Sequence, residues 1–431
     1  MADKIIRDPV HDVIALDLDA PADRLAFDLI ACREVQRLRR VRQLGLASLA
    51  YPGADHSRYS HSLGVFETAR KILARLRRGG LELDDLDRAA TYAAALLHDL
   101  GHGPFSHVFE RVSGVDHEGI TRRLILDPAG EVHQALIRFD AGLPERVVDL
   151  LRREGTPTVL WDVLSSQLDA DRLDYLLRDN LMTGSRYGRY DLAWLLEAMT
   201  AIDVDGTPRL AVSGKGVSAA EAYLQARYHM YRHVYFHKVV RAAEGMVKLA
   251  LQRARELMLD ETGGDVTGAN LAVPPGSGAV AGFLTGNRLE AAEFADLDDV
   301  SVLGCFKAWS KSGDAILAGL CAGLLDRRLF KTIDLTGHAD PQTAADQAAA
   351  AVASAGGNPH YSLFYDSPSS APYARGPQSI LVVTPAGTID LADASPFADA
   401  LAAGAKQRRP HRLHVHGEFV DVAARATAQS C

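Results

Sequence analysis

From about residue 24 to residue 258 apolar residues recur three and four positions apart. That spacing lays one apolar stripe along a helix and predicts a mostly helical body. Ahead of it, residues 5–17 (IIRDPVHDVIALD) mix β-branched residues with Asp-Pro and predict a short β-hairpin. Within the body, the run ATYAAALL between Leu86 and Leu100 is apolar on most sides, which predicts a buried helix. It ends at Gly101, and Gly103-Pro104 imposes a break before another short helix. A long helix is predicted over 218–258, where Gly and Pro are nearly absent.

The pattern changes after residue 258. Residues 259–283 are rich in Gly, Pro, Ser and Thr and carry few charges, so they read as a loop excursion. Helical spacing returns near 286–296 and 313–327, and an alanine-rich helix is expected at 343–355. The stretches SLFYD, SILVVTP and RLHVHGEF then read as strands. The chain is therefore divided into a core (1–258), a loop excursion with a helical extension (259–331) and a small α+β C-terminal domain (332–431). The expected class is mainly α, with a short β segment at the N-terminus. No internal repeat is visible.

Composition narrows the class. A chain of 431 residues exceeds one ordinary core. With 47% hydrophobic and 24% charged residues it falls in the soluble globular range. No run approaches the roughly 20 apolar residues that span a bilayer. Met1-Ala2-Asp3-Lys4 opens no apolar leader, and Cys32, Cys305, Cys321 and Cys431 are far apart with no CxxC pair. Both features point to a reducing cytoplasm. A net charge of −8 argues against a nucleic-acid partner and leaves phosphate ligands only to a local basic pocket. Arginine clusters at Arg37, Arg39 and Arg40 and at Arg75, Arg77 and Arg78 read either as such pockets or as exposed helix faces.

The strongest chemical signal is His98-Asp99, at the end of the buried helix and followed by LGHGPFSH. Imidazole beside carboxylate suits a borderline divalent cation. Partners for it stand at His61, in RYSHSLGV, and at Asp171, in DADRLDYLLRD. The order His, His-Asp, Asp resembles the HD superfamily of metal-dependent phosphohydrolases. PVHDVIALD, RLRRVRQLGLASLAYPGADHSRYSHSLGV, LLHDLGHGPFSHVFE, DADRLDYLLRDN and YRHVYFHK follow in the order of one branch. That branch is the deoxynucleoside triphosphate (dNTP) triphosphohydrolases, which include the mammalian SAM-and-HD-domain enzyme and its bacterial relatives. The similarity runs over residues 4–335. It implies an all-helical HD core, one metal per site held by His61, His98, Asp99 and Asp171, and a homo-oligomer, dimer or tetramer. The donor set suits Fe(II), Mn(II), Co(II), Ni(II) or Zn(II), with Mg(II) as an in vitro substitute.

The same resemblance implies roles beyond the metal. His107 is the general acid, oriented by Glu110, where the family often has Asp. His102 and His117 contact the phosphate or assist proton transfer. Arg58 matches the α-phosphate arginine, and Arg172 stands where the mammalian enzyme has Lys. Arg227 and Lys238 match phosphate-tail positions, though surface or helix-end charges read equally well there. Gln43, Leu44, Tyr175, Asp179 and Tyr235 match sugar and base contacts. Tyr235 is expected under the sugar 2′ carbon, and Asp179 with Gln43 at the 3′ hydroxyl. Gln36 and Arg39 match part of a guanine-nucleotide activator site, but Ala31 replaces its base-reading aspartate and Arg7 an asparagine. An activator other than a guanine nucleotide, or none, is expected. The expected reaction is hydrolysis of dNTPs to deoxynucleoside and triphosphate. A nucleotide phosphatase or pyrophosphohydrolase acting on another phosphorylated metabolite is the alternative enzyme. A non-catalytic nucleotide sensor is the alternative of another class.

Overall fold

The computed structural model describes residues 3–114, 116–153, 158–259, 271, 273–286, 289–404 and 409–428, without the side chains of His107, Arg111 and Ser113. Strands β1 (Asp3–Asp8) and β2 (Asp12–Asp17) form the expected antiparallel hairpin. Its turn is fixed by Asp8, whose Oδ1 accepts from the Val10 and His11 amides at 2.8 and 3.0 Å. Ile14 and Leu16 point inward and are fully buried.

The helical body follows as expected. The helix Arg58–Arg78 starts at Ser57, whose side chain caps the Ser60 amide. The Ala-rich helix Asp85–Leu97 is capped by Asp84, and every residue from Ala89 to Leu97 is buried. Ala170–Thr183 begins at Asp169, which accepts from the Arg172 amide at 2.8 Å, and stops at Gly184 in the left-handed region. These helices bring the starts of two helices and the end of a third to one place. The mainly helical class is borne out.

Four local differences matter. The long helix expected over 218–258 is two helices, Val217–Met230 and Lys238–Leu259, joined by a π turn at Tyr231–Tyr235. The Phe236 amide bonds back to the Tyr231 carbonyl, so the turn holds one residue more than an α-turn and re-aims Tyr235. Strands β3 (Met199–Val204) and β4 (Thr207–Ser213) form a hairpin inside the body, around Asp205-Gly206, both with positive φ. That dipeptide is the ordinary signal for such a turn, and the helical reading of 24–258 passed over it. A helix at Gly278–Leu284 lies within the expected loop, whose residues 260–270 and 272 fall outside the described set. The helix expected near 286–296 is the single turn Ala291–Phe294, and Asp299–Trp309 is a further helix capped by Asp298.

Beyond it come the helix Ala315–Leu325 and β5 (Lys331–Asp334). The C-terminal helix Pro341–Ser354 and strands β6 (Leu363–Asp366), β7 (Leu381–Thr384), β8 (Gly387–Asp390) and β9 (Arg412–Val415) lie near the predicted places. Residues 332–431, however, divide between two sheets. β7 adds in parallel to β4, giving the order β3-β4-β7-β8 with the body. β5, β9 and β6 form a separate antiparallel sheet over a core of Leu335, Ala348, Val352, Leu413, Val415 and Ala423.

Candidate metal centre and active-site cavity

His61, His98 and Asp99 converge, each offering one donor atom within 4.8 Å of the others. His98 ends the buried Ala-rich helix. Its Nδ1 lies 2.8 Å from the Ala95 carbonyl, which only accepts, so Nδ1 carries the proton. Nε2 is then a bare lone pair. It is buried without a hydrogen-bond partner among the described residues, 3.4 Å from Asp99 Oδ1 and 3.8 Å from Asp171 Oδ1. His61 is placed similarly. Its Nδ1 faces Asp174 Oδ2 at 2.8 Å, and its Nε2 faces Asp171 Oδ1 at 3.0 Å and Asp99 Oδ2 at 3.9 Å. Two imidazole nitrogens and two carboxylates thus surround one point. An orphaned buried nitrogen among carboxylates fits a divalent cation.

Electrostatics agree with that reading. Burial depresses His61, but hydrogen bonds to Asp171 and Asp174 outweigh it and hold its pKa up to about 10. Asp99 is buried, yet the Arg58 guanidinium and the neighbouring His98 and His102 hold it well below the usual carboxylate range. Arg58 bonds Asp99 Oδ2 directly and reaches Ser106 Oγ through Nε and Nη2 at 3.1 and 2.7 Å. Ser106 and Phe105 both take positive φ, 57° and 52°, so strained backbone presents that hydroxyl.

The site opens into a cavity of about 500 Å³, within the span of small-molecule pockets. Of the expected contacts, Gln43, Leu44, Arg58, Arg172, Tyr175, Asp179 and Tyr235 line it, together with His102 and His117. The His102 and His117 rings stack at 4.0 Å between centroids. Burial and the facing Arg58 push His102 well below the ordinary histidine range. Glu110 Oε1 bonds His117 Nδ1 at 3.0 Å. His107 opens the helix His107–Ser113, and its expected pairing with Glu110 lies outside the described residues. Tyr235 donates to Asp179 Oδ2 at 2.9 Å. Arg172 is held by Asp169 and by the Ser166 carbonyl. The Gln43 side-chain Oε1 is buried without a hydrogen-bond partner among the described residues.

Two expected cations do not reach the wall. Lys238 is exposed at the start of its helix, and Arg227 is buried among Tyr175, Tyr223 and Tyr231, its Nε and Nη1 without a hydrogen-bond partner among the described residues. Gln36 and Arg39 bond each other at 2.7 Å, away from the cavity lining. In their place Arg122, Arg153 and Arg241 line the cavity, none of them singled out from sequence. Three more residues escaped the sequence reading. Asp174 stands one helical turn after Asp171, so the spacing D-R-L-D carried a signal. His11 contacts Asp174, and His56 bonds Asp179 Oδ1 at 2.7 Å. Both are close in space and remote in sequence, which no local pattern reveals.

The sequence and fold are similar to those of known proteins. Residues 58–156 match the HD domain and residues 190–266 the HD associated region. The chain is 38% identical over 86% of its length to the uncharacterized protein YwfO of Bacillus subtilis, of which it spans 81%. The chain belongs to the HD-domain family. It is also 27% identical, over 62% of its length, to the human deoxynucleoside triphosphate triphosphohydrolase SAMHD1, spanning 46% of that protein. The corresponding Dictyostelium discoideum homolog is 31% identical over 58% of this chain and 50% of its own. Among solved structures, a phosphohydrolase from Bacteroides thetaiotaomicron superimposes with a TM-score of 0.79 at 29% identity, covering 96% of this chain and 99% of that one. No described helix is long and apolar enough to cross a membrane.

Proposed function

We propose that the protein is a metal-dependent phosphohydrolase that cleaves dNTPs to deoxynucleoside and inorganic triphosphate. The observation that carries the hydrolase reading is the bare, buried His98 Nε2 facing Asp99 and Asp171 on the wall of the cavity. His61, His98, Asp99 and Asp171 would hold one divalent ion, such as Mn(II), Fe(II), Co(II), Ni(II) or Zn(II). Such an ion makes a bound water acidic and polarises a phosphoryl oxygen. The dNTP assignment rests on the relatives named as dNTP triphosphohydrolases and on Tyr235 and Asp179 lining the same cavity.

In this reading water adds to the α-phosphorus as the bond from phosphorus to the 5′ oxygen breaks. His107 donates the proton that the 5′ oxygen needs, since an alkoxide is a poor leaving group. His102 and His117 sit beside that phosphate as a stacked pair, with Glu110 fixing His117. Arg58 and Arg172 balance phosphate charge, and Arg122 and Arg153 supply cations that Lys238 does not. Tyr235 packs against the sugar, and Asp179 and Gln43 take its 3′ hydroxyl.

A second reading, a nucleotide phosphatase or pyrophosphohydrolase acting on another phosphorylated metabolite, is favoured by the absence of Lys238 and Arg227 from the cavity lining. One experiment separates the two. Purified protein is incubated with each dNTP and Mn(II), and the products are resolved by chromatography. Deoxynucleoside with inorganic triphosphate supports the dNTPase. Orthophosphate or pyrophosphate overturns it in favour of the second reading. No turnover, with or without a second nucleotide, moves the protein to a nucleotide sensor.

A further inference from the structure

The metal-facing edge of His61 is set from the other edge of its ring, where Nδ1 meets Asp174. Asp174 has no exposed surface, and four donors fill its carboxylate. Oδ2 accepts from His61 Nδ1 and from Arg178 Nε, both at 2.8 Å. Oδ1 accepts from Arg178 Nη2 at 2.8 Å and from His11 Nε2 at 2.9 Å. Lys71 Nζ, which can only donate, lies 3.4 Å from His11 Nδ1 and so assigns the His11 proton to Nε2. Arg178 is itself fully buried and gives its remaining edge to Asp8 at 2.8 and 3.2 Å. Asp8 and His11 both belong to the turn of the β1–β2 hairpin. A run of hydrogen bonds therefore joins that turn to a candidate metal ligand.

The close approach is written into the backbone. A Cβ on Gly64, one turn after His61, would lie 1.9 Å from Asp174 Oδ1 and 2.2 Å from Arg178 Nη2. Only glycine leaves room for the carboxylate against this helix.

We propose that Asp174 is a positioning residue for the metal site, and that the N-terminal hairpin, through His11 and Asp8, is its brace. A carboxylate on His61 Nδ1 fixes that nitrogen as the proton carrier, orients the ring and raises the basicity of Nε2. The inference rests on the metal reading of the proposed function but is independent of which phosphate ester is cleaved. Neither Asp174 nor His11 touches the cavity, so their effect passes through His61.

The test reads metal, not turnover. Dissociation constants for Mn(II) and Co(II) are measured by chelator competition on the full chain, with the visible Co(II) spectrum recorded alongside. Asp174→Asn keeps an acceptor for His61 and removes the charge. It is expected to weaken both metals about 10–100-fold and to shift the Co(II) bands. His11→Ala leaves the Asp174–Arg178 pair intact and is expected to weaken binding about fivefold, the value of one ordinary hydrogen bond. His11→Gln restores a donor and should recover most of that loss. Val352→Ala, a buried substitution in the separate core of the β5–β9–β6 sheet, controls for lost stability and should leave affinity unchanged. If Asp174→Asn does not fold, the His11 pair decides. Unchanged affinity in His11→Ala, or a loss equal to that of Val352→Ala, overturns the positioning role. A wild-type chain that binds neither metal overturns the metal reading itself.

Discussion

Tyr235 donates its hydroxyl to Asp179 at 2.9 Å, and the other Asp179 oxygen is taken by His56 at 2.7 Å. The contact depends on the π turn, which delivers Tyr235 to the cavity at a point where an unbroken helix would carry it elsewhere. Tyr235→Phe keeps the ring and removes the donor. In the dNTPase reading, kcat/KM should fall about tenfold or more, the value of a hydrogen bond to a charged group, while deoxyribose preference persists. Tyr235→Ala removes the ring and should raise ribonucleotide turnover relative to deoxyribonucleotide turnover. Steady-state kinetics on matched dNTP and NTP pairs check both. Unchanged sugar preference in Tyr235→Ala would remove Tyr235 from sugar selection.

His98 gives the clearest metal prediction because its Nε2 has no hydrogen-bond partner among the described residues. Replacing it should cost the metal-free fold little and cost the metal site everything. Titration of the apo protein with Mn(II) should raise Tm in the wild type, since a ligand that binds only the folded state stabilises it. His98→Ala should show no such rise and no hydrolysis. His107→Ala should keep the Mn(II)-dependent rise and lose hydrolysis. Equal Mn(II) responses in wild type and His98→Ala would disprove His98 as a ligand.

Away from the cavity, His414 on β9 is fully buried, stacked on Phe364 and 3.1 Å from Thr332 Oγ1. Burial lowers its pKa to about 4 against the pull of Asp366, and Arg412 on the same strand and Arg241 on the helix Lys238–Leu259 add to the depression. Unfolded histidine titrates near 6.5, so between pH 6.5 and 4 the unfolded chain binds the extra proton. The contribution is complete above pH 6.5 and is lost as pH falls toward 4, by about 3 kcal/mol in all. Urea midpoints of wild type and His414→Gln, followed from pH 7.5 to 4.5, should converge as the pH drops. Parallel curves would show that His414 is not the group being protonated.

Most of the helical body was legible because its helices carry a regular apolar stripe and caps such as Ser57, Asp84 and Asp169. His61, His98, Asp99 and Asp171 stood out through the text around them; the structure gathers His61, His98 and Asp99 and sets Asp171 beside both histidines, and their role as ligands is the proposal. The β3–β4 hairpin was hidden by helical spacing on both sides, although Asp205-Gly206 announced it. The pairing of β7 with β4 joins residues far apart in the chain, and no local period encodes that. For the same reason Arg122, Arg153 and Arg241 were invisible as cavity residues while Lys238, beside a recognisable motif, drew attention. Sequence marks which side chains carry chemistry; the long-range packing decides which of them share a wall.

Gly64 links the fold to the site most sharply. It lies in the middle of a buried helix, where glycine is about 1 kcal/mol worse than alanine on propensity alone. Alanine there should therefore stabilise an isolated helix. In this protein the added methyl would fall 1.9 Å from Asp174 Oδ1 and 2.5 Å from its carboxyl carbon. Asp174 cannot retreat without giving up His61, His11 or Arg178, each of which it holds within 2.9 Å. The steric cost should exceed the propensity gain, and Gly64→Ala is expected to destabilise the chain by about 1–3 kcal/mol. Thermal unfolding should show the loss, with weaker Mn(II) binding in any protein that remains folded. A Gly64→Ala protein with raised Tm and intact metal affinity would mean that the helix and the Asp174 carboxylate are not as closely packed as the structure places them.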